Sequence, residues 1–146
     1  MKASENAEWL ERLKARGFTA DSVYDKGQNE DLKNLLLGYG GVAVVLPKIE
    51  RDKKLIMVDG YAMVNPEIFQ EKGDPCECHK NSAKIWKQYG YRLHTGYALS
   101  SDEVWRQHSW TVDNENVVHE STEPREVYFG FQLEEDEAEI FYEANV

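Results

Sequence analysis

Three residues of the kinds that cooperate in nucleophilic catalysis follow one another in the second half of the chain. Cys78 supplies a thiol, His108 an imidazole and Glu120 a carboxylate. A cysteine nucleophile needs a base to take its proton, and the base needs a group that fixes its tautomer and orientation. The three residues are therefore candidate catalytic residues for acyl transfer through a thioester.

The residues before Cys78 predict the start of a helix. Asp74 can cap a helix, Pro75 suits the first helical position, and Glu77 lies three residues after the cap. The residues that recur on one face of this helix are Cys78, Ser82, Ile85, Trp86 and Tyr89. We therefore expect Cys78 in the first turn, facing inward, where the positive end of the helix dipole favours a thiolate. Gly90 is expected to end the helix.

An antiparallel meander is predicted after this helix. Its four strands are Tyr91 to Leu99, Trp105 to Val112, Asn116 to Ser121 and Val127 to Leu133. The turn at Asp113-Asn114 joins the strands that carry His108 and Glu120, so these two side chains can share one face, while His119 points to the other. His94 is expected at the surface or rim.

The first half of the chain predicts short helices and strands. The expected helices are Ala7 to Arg16 and Asn29 to Leu37, and the expected strands are Gly41 to Leu46, Lys54 to Val58 and Tyr61 to Val64. The three strands would form a hairpin-rich module. Helices, a small sheet, one helix and then a meander together predict an α+β fold.

Four motifs lie within residues 74–131. They are Cys78-His79-x-Asn81-Ser82, Tyr89-Gly90-Tyr91-Arg92-Leu93-His94-Thr95-Gly96-Tyr97, His108-Ser109-Trp110 and Val117-Val118-His119-Glu120-Ser121-Thr122. Together they resemble the transglutaminase-like branch of the papain-like cysteine superfamily. The resemblance implies a helix bearing the cysteine packed on an antiparallel sheet. The resemblance does not extend to residues 1–73. The length and the lack of a linker predict one domain over 1–146, with helices and small strands in 1–73, the core in 74–133 and an acidic C-terminal segment in 134–146.

The same resemblance implies roles for further residues. Asn81, Trp110 and Tyr97 become candidates for binding the oxyanion or the substrate, and the backbone N–H of Cys78 is a second candidate oxyanion donor. The chain departs from the family pattern in having Glu120 where an aspartate is usual. The implied reactions are hydrolysis of a peptide or isopeptide, deamidation, or acyl transfer to an amine, on a protein or peptide substrate.

Other interpretations of these residues remain open at this stage. Cys78 can be a core residue, and His108 a structural histidine. Cys76, Cys78, His79 and a distant histidine could ligate zinc, but the Cys-x-Cys-His spacing is tight and no second cysteine pair follows, so we expect no metal and no cofactor. The chain can also be a catalytically inactive, acidic interaction protein that binds a protein partner, of a size common among phage and mobile-element products. Trp86, Trp105 and Trp110 are expected in the core.

Composition narrows the class of protein. The chain has 146 residues, with 17 basic and 27 acidic side chains and a formal net charge of −10. Nucleic-acid binding is not expected, because phosphate neutralisation needs clustered Lys and Arg. The two cysteines are too close in sequence for a useful disulfide, and the chain has neither a membrane-length apolar run nor a signal-like N-terminus, so we expect a cytoplasmic protein. The acidic residues after Arg125 form a solvated face or a surface for a basic partner.

Overall fold

A computed structural model describes residues 29–47 and 50–146 of the chain. The helices in these residues are α1 (Glu30–Leu37), α2 (Lys53–Asp59), α3 (Cys78–Tyr89) and α4 (Glu135–Asn145). The strands are β1 (Ala43–Val44), β2 (Tyr61–Val64), β3 (Ile68–Gln70), β4 (Arg92–Leu99), β5 (Val104–Val112), β6 (Val118–Glu120) and β7 (Val127–Gln132). The predicted α+β class is confirmed.

The strands form one curled sheet in the order β2-β7-β4-β5-β6-β3, and β1 also pairs with β5. All pairings are antiparallel except β1 with β5 and β3 with β6, which are parallel. The long β4–β5 pair places His108 opposite Gly96 and Trp110 opposite His94. Directly opposed residues share a face, so these residues lie on one face of the sheet, called here the inner face.

The two faces of the sheet bury different clusters. The outer face packs against α1 and α2 through a cluster that includes Leu32, Leu36, Ile56, Tyr97, Leu99, Trp105 and Phe129. The inner face buries Ala98, Trp110, Val112, Val118 and Tyr128, with Met63 and Ile68 packed against them. Helix α3 covers the outer face beside Leu93 and Thr95, because Trp86 packs on Leu93 and the Ser82 hydroxyl donates to the Ser109 carbonyl (3.0 Å).

Helix α3 begins later than the capping pattern predicts. Its first residue is Cys78, and residues 74–77 form a turn in which the Glu77 N–H bonds to the Asp74 carbonyl (3.3 Å). Cys76 has a φ of 60°, which a helical residue does not adopt. The helix ends as predicted at Gly90, which takes a left-handed conformation with a φ of 72°. Tyr89, expected on the inward face, is 53% exposed.

The four strands predicted after α3 are found as β4 to β7, with small shifts at their ends, and α1 and β2 also lie where expected. Only β4, β5 and β6 form a meander; the prediction is wrong for β7, which pairs with β4 and β2 and not with β6. The predicted strand over Lys54 to Val58 is wrong, because these residues belong to α2. Ile56 is the residue of α2 that is buried. A half-buried strand would instead bury every second side chain, and this segment does not. The hairpin-rich module is therefore absent from the described residues, β1 is only two residues long, and β3 was not predicted. The helix predicted over Ala7 to Arg16 lies outside the described residues.

The acidic C-terminal segment forms helix α4 rather than a tail. Glu135, Asp136 and Glu137 lie in its first turn, where negative charge interacts favourably with the helix dipole. Ala138 packs with Trp86 of α3, and the Lys87 ammonium pairs with Glu139 at 2.9 Å. The segment thus supports the helix that carries Cys78. No helix in residues 29–47 and 50–146 is long and apolar enough to cross a membrane.

Candidate functional site

The candidate nucleophile lies beside an opening in the edge of β5. One edge of this strand pairs along its length with β4. The other edge pairs with β1 at the start of β5 and with β6 at its end, so residues 106–110 have no neighbour there among the described strands. Cys78, the first residue of α3, lies at this opening, where the Ser109 backbone N–H is close enough to help lower the pKa of its thiol. Because of this gap, Cys78 of α3, which covers the outer face of the sheet, can approach His108 on the inner face.

The structure brings Cys78, His108 and Glu120 together, as the sequence predicts. The His108 ring is hydrogen-bonded to Glu120 on one side, and it lies close enough to the Cys78 thiol for each of the two groups to shift the pKa of the other. Nε2 of His108 lies 2.7 Å from Oε1 of Glu120, which leaves Nδ1 as the nitrogen available to the thiol. His108 is 2% exposed and Glu120 is fully buried. An imidazole held between a thiol and a buried carboxylate is the arrangement that activates a cysteine nucleophile.

The electrostatics of the three groups favour a thiolate and an imidazolium. Burial alone would raise the pKa of the half-buried Cys78 thiol, but the hydrogen bond and charge of His108, with the Ser109 N–H, lower that pKa overall. Burial would lower the pKa of His108, yet Cys78 and Glu120 together raise it. Burial also works against ionisation of Glu120, and His108 outweighs it, so the pKa of the carboxyl is lowered. The three shifts share one cause: an imidazolium at His108 and anions at Cys78 and Glu120 would stabilise one another.

Glu120 is fixed in place by donors on both of its oxygens. Oε1 accepts the Tyr128 hydroxyl at 2.8 Å in addition to His108. Oε2 accepts the Thr122 backbone N–H at 3.0 Å and the Thr122 hydroxyl at 3.2 Å. A carboxylate with four donors has its lone pairs satisfied in the interior. The Glu120 side chain is therefore fixed in position, and it reaches His108 from β6.

Two aromatic groups hold the imidazole from the sides. The Trp110 ring stacks on His108 with centroids 6.0 Å apart and planes 19° apart, and the Tyr128 ring lies against it at 6.0 Å. Trp110 is 1% exposed, so the prediction that it belongs to the core is confirmed, and its contact with the site is with His108. Trp86 and Trp105 are also buried, as predicted.

His94 was predicted at the surface, and this prediction is wrong. The residue is fully buried on the inner face, where its ring stacks on Trp110 at 5.8 Å and its Nε2 hydrogen-bonds the Tyr61 hydroxyl. Burial lowers the pKa of His94 to about 4. His94 thus belongs to the buried layer that packs on Trp110.

Asn81 and Tyr97, two further candidates for substrate contact, do not line the cleft that opens beside Cys78 and His108. The Asn81 side chain is 6% exposed and holds the turn before α3: its Nδ2 donates to the Asp74 carbonyl at 2.8 Å, and its Oδ1 accepts the Asp74 N–H at 3.2 Å. Tyr97 is fully buried on the outer face, and its hydroxyl donates to Glu50. Two motifs made these residues candidates, but the Asn81 side chain binds Asp74 and the Tyr97 hydroxyl binds Glu50.

The backbone of Cys78 is the better candidate oxyanion donor. As the first residue of α3, Cys78 has an N–H that lacks an acceptor within its own helix. This N–H and the thiol belong to the same residue, so an acyl oxygen can lie near the N–H when the carbon bonds to sulfur. Because the Asn81 amide is already paired with Asp74, its candidacy as oxyanion donor is not supported.

A cleft of about 570 Å³ opens beside the three residues. Its walls include Cys78 and His108 together with the loops that follow β4 and β6. The lining residues that the sequence did not single out are Gly73, Arg106, Gln107, Glu123 and Arg125. Loop residues carry no periodic signal, and the fold alone brings them to the cleft. Tyr128 and Thr122 were likewise missed, since their role depends on where Glu120 lies.

His119 occupies a second polar site, on the opposite face of β6 from Glu120 as predicted. Its Nδ1 lies 2.9 Å from a Glu71 oxygen, and its Nε2 lies 2.8 Å from an Asp113 oxygen. Both ring nitrogens of His119 are therefore hydrogen-bonded to carboxylates. His119 thus ties β6 to the loops after β3 and β5, and it supports the strand that carries Glu120.

The residues considered for zinc do not converge. Cys76 is exposed, Cys78 engages His108, and the His79 ring hydrogen-bonds the Ser109 hydroxyl. The one group of potential ligands that comes together in the described part of the chain is Glu134, Asp136 and Glu137, at the start of α4. Glu137 accepts the Glu134 N–H there at 3.0 Å, which is a helix-capping contact.

Comparisons of the chain with protein-family models, with curated proteins and with solved structures find no match. No family is shown by these comparisons, and membership of the transglutaminase-like branch stays a prediction from the motifs.

Proposed function

We propose that this protein is a cysteine-dependent acyl-transfer enzyme in which Cys78 is the nucleophile, His108 the acid and base, and Glu120 the orienting carboxylate. The observation that carries the proposal is the buried His108 ring, held between the Cys78 thiol and Glu120 at the wall of an open cleft. A histidine with a purely structural role would not need a thiol beside its second ring nitrogen, nor a position in the wall of a cavity. The pKa directions of all three groups agree with this use.

The reaction follows from the geometry. The Cys78 thiolate attacks the carbonyl carbon of the substrate, and the backbone N–H of Cys78 stabilises the oxyanion. The imidazolium of His108 protonates the leaving group as its bond to the acyl carbon breaks, which leaves a thioester on sulfur. Water or an amine then gives its proton to His108 and attacks the thioester. The carbon–sulfur bond breaks, and the acyl group leaves as an acid or an amide.

We infer that the natural acyl donor is a peptide or protein amide. The transglutaminase-like motifs in residues 74–131 support this choice, since enzymes with that resemblance act on amide groups of proteins. The open cleft, bordered by loops on two sides, can admit a side chain or an extended segment. Hydrolysis, deamidation and transfer to an amine share the thioester and differ only in the donor and the acceptor.

The test is the formation of an acyl-enzyme with an activated ester. Wild-type protein mixed with p-nitrophenyl acetate should release a burst of p-nitrophenolate equal to the enzyme concentration, and intact-mass and peptide analysis should locate the acetyl group on Cys78. Adding a primary amine should divert the acetyl group from acetate to the acetylated amine if the enzyme transfers as well as hydrolyses.

The matched control is Cys76→Ser, because Cys76 is an exposed thiol two residues away with no contact to His108. This variant should keep the full burst. Acetyl found on Cys76 or spread over lysines, with no burst from Cys78, would contradict the proposal and favour an interaction protein that binds a partner without chemistry.

A further inference from the structure

Arg125 places an incompletely paired positive charge in the wall of the cleft. Its side chain is only 10% exposed, and the carboxylate that pairs with it in the described residues is that of Glu123, at 3.9 Å and 68% exposed. Its other contacts are neutral: the Glu123 carbonyl and, at 3.5 Å, the Thr122 hydroxyl. A guanidinium has five N–H donors, so donors remain for a ligand.

Arg106 lines the same cleft, but its positive charge is compensated by a carboxylate. Both of its terminal nitrogens bind Asp102, at 3.1 and 2.8 Å, in a two-pronged ion pair. This geometry satisfies a guanidinium and compensates its charge. Arg106 therefore serves as an internal comparison for Arg125, which has no such partner in residues 29–47 and 50–146.

Two buried hydroxyl groups in the same cleft also lack partners. Ser100 is 4% exposed and Ser121 is 2% exposed, and neither hydroxyl has a hydrogen-bond partner among the described residues. Both residues line the cleft. A buried polar group without a partner costs stability, and native structures contain few of them. Two in one cavity point to a ligand whose oxygen atoms complete these hydrogen bonds.

These groups lie close to the reacting atoms. Ser121 follows Glu120 directly, and the Arg125 backbone N–H bonds to the Tyr128 hydroxyl (3.2 Å), which itself bonds to Glu120. The cleft volume of about 570 Å³ is within the usual range for a small-molecule or peptide-residue site. One ligand can thus contact Arg125 and also present a carbonyl to Cys78.

We propose that the cleft binds an acyl substrate that carries a carboxylate, with Arg125 and the hydroxyls of Ser100 and Ser121 as its binding groups. This inference rests on the proposed function, because the carboxylate is recognised beside the same nucleophile. Arginine is the side chain best suited to a carboxylate, since its N–H groups match the two oxygens. The carboxylate could belong to an acidic side chain next to the scissile bond or to a free C-terminus, since both present the same group.

The test uses two alkylating reagents of nearly equal size, iodoacetate and iodoacetamide. Each forms a carbon–sulfur bond with the thiolate and releases iodide, and they differ in the charge of the group that enters the cleft. The measured quantity is the ratio of the iodoacetate rate to the iodoacetamide rate at Cys78, divided by the same ratio at Cys76. We expect Arg125→Gln to lower this normalised ratio about fivefold, as for loss of a partly exposed opposite charge.

The controls separate charge from structure. Arg125→Lys should keep most of the ratio, because it keeps the positive charge. Arg92→Gln should leave the ratio near that of the wild type, because Arg92 does not line the cleft and binds the Asp113 carbonyl and Asn116. Salt should lower the wild-type ratio and affect Arg125→Gln little. An unchanged ratio in Arg125→Gln, with rapid iodoacetamide labelling of Cys78, would overturn the inference and leave the proposed function standing. Equal iodoacetamide labelling of wild type and His108→Ala would instead count against the proposed function.

Protection experiments distinguish the two sources of the carboxylate. N-acetylglycine offers a free α-carboxylate, and N-acetyl-aspartic acid α-amide offers a side-chain carboxylate with a blocked C-terminus. Slower iodoacetamide labelling of Cys78 with the first compound alone assigns the cleft to a C-terminus, and with the second alone to an acidic side chain. Protection by neither compound at millimolar concentration would contradict carboxylate binding.

Discussion

Replacing Cys78 by serine is expected to lower the rate of acyl transfer on the order of 10⁴-fold or more, with little change in stability. Serine has nearly the same size and keeps a polar group for the Ser109 N–H, so α3 should dock unchanged. Its hydroxyl does not ionise beside His108, whereas the thiol pKa is lowered there. The measurement is the rate of p-nitrophenolate release, together with a thermal unfolding curve.

The same experiment tests whether the residues act as a unit. His108→Ala should cause a loss of similar size, and the double variant Cys78→Ser/His108→Ala should be no worse than either single variant, because removing one member already disables the other. Losses that multiply would show two independent contributions and contradict a shared mechanism. Cys76→Ser is again the matched control and should retain wild-type rates.

Replacing Glu120 by alanine is expected to lower the free energy of unfolding by about 3–5 kcal/mol. The carboxylate is fully buried and accepts hydrogen bonds from His108, Tyr128 and Thr122. Alanine leaves these donors without an acceptor and leaves a cavity in the curled sheet. Chemical denaturation, followed by tryptophan fluorescence, gives the free energy.

Glu120→Gln should lower the free energy of unfolding by less, about 1–3 kcal/mol, because the glutamine carbonyl oxygen can still accept from His108 and Tyr128. The remaining loss arises because the glutamine NH₂ group faces the Thr122 N–H, which then lacks an acceptor. The difference between wild type and this variant should depend on pH. Since the folded protein lowers the pKa of Glu120, the stabilisation by the charged form is present above the ordinary glutamate pKa and is lost as pH falls through the lowered value. Glu115→Ala, at an exposed position, should stay within about 0.5 kcal/mol of wild type at every pH. A pH-independent difference for Glu120→Gln would mean that the glutamate is not a carboxylate in the folded protein.

Local sequence patterns were sufficient to predict the elements that carry the three candidate residues. The helical spacing from Cys78 to Trp86, the stop at Gly90 and the alternation of the meander all reflect interactions within one element. The pairing of β5 with β6 then follows from the turn after Val112, and it places Glu120 on the same face as His108. These features depend on neighbours in sequence, which is why they could be predicted.

Other features depend on contacts between distant parts of the chain. Lys53–Asp59 has the composition of a strand, yet it forms α2 because only Ile56 meets the core. The burial of His94 depends on Tyr61 and Trp110. The opening in the edge of β5 exists because β1 and β6 pair with its two ends. No periodicity predicts that gap, although it gives Cys78 access to His108 and defines the site.

The ionisation of Cys78 is the property on which the proposed mechanism depends most directly. The rate of iodoacetamide alkylation at Cys78, measured against pH by peptide mass spectrometry, reports it, because only the thiolate reacts. Since His108 lowers the thiol pKa, the midpoint of the wild-type profile should lie below the value of about 8.5 for a free thiol, and His108→Ala should move it upward. A wild-type midpoint at or above the free-thiol value, unchanged in His108→Ala, would show that the histidine does not activate Cys78 and would contradict the mechanism.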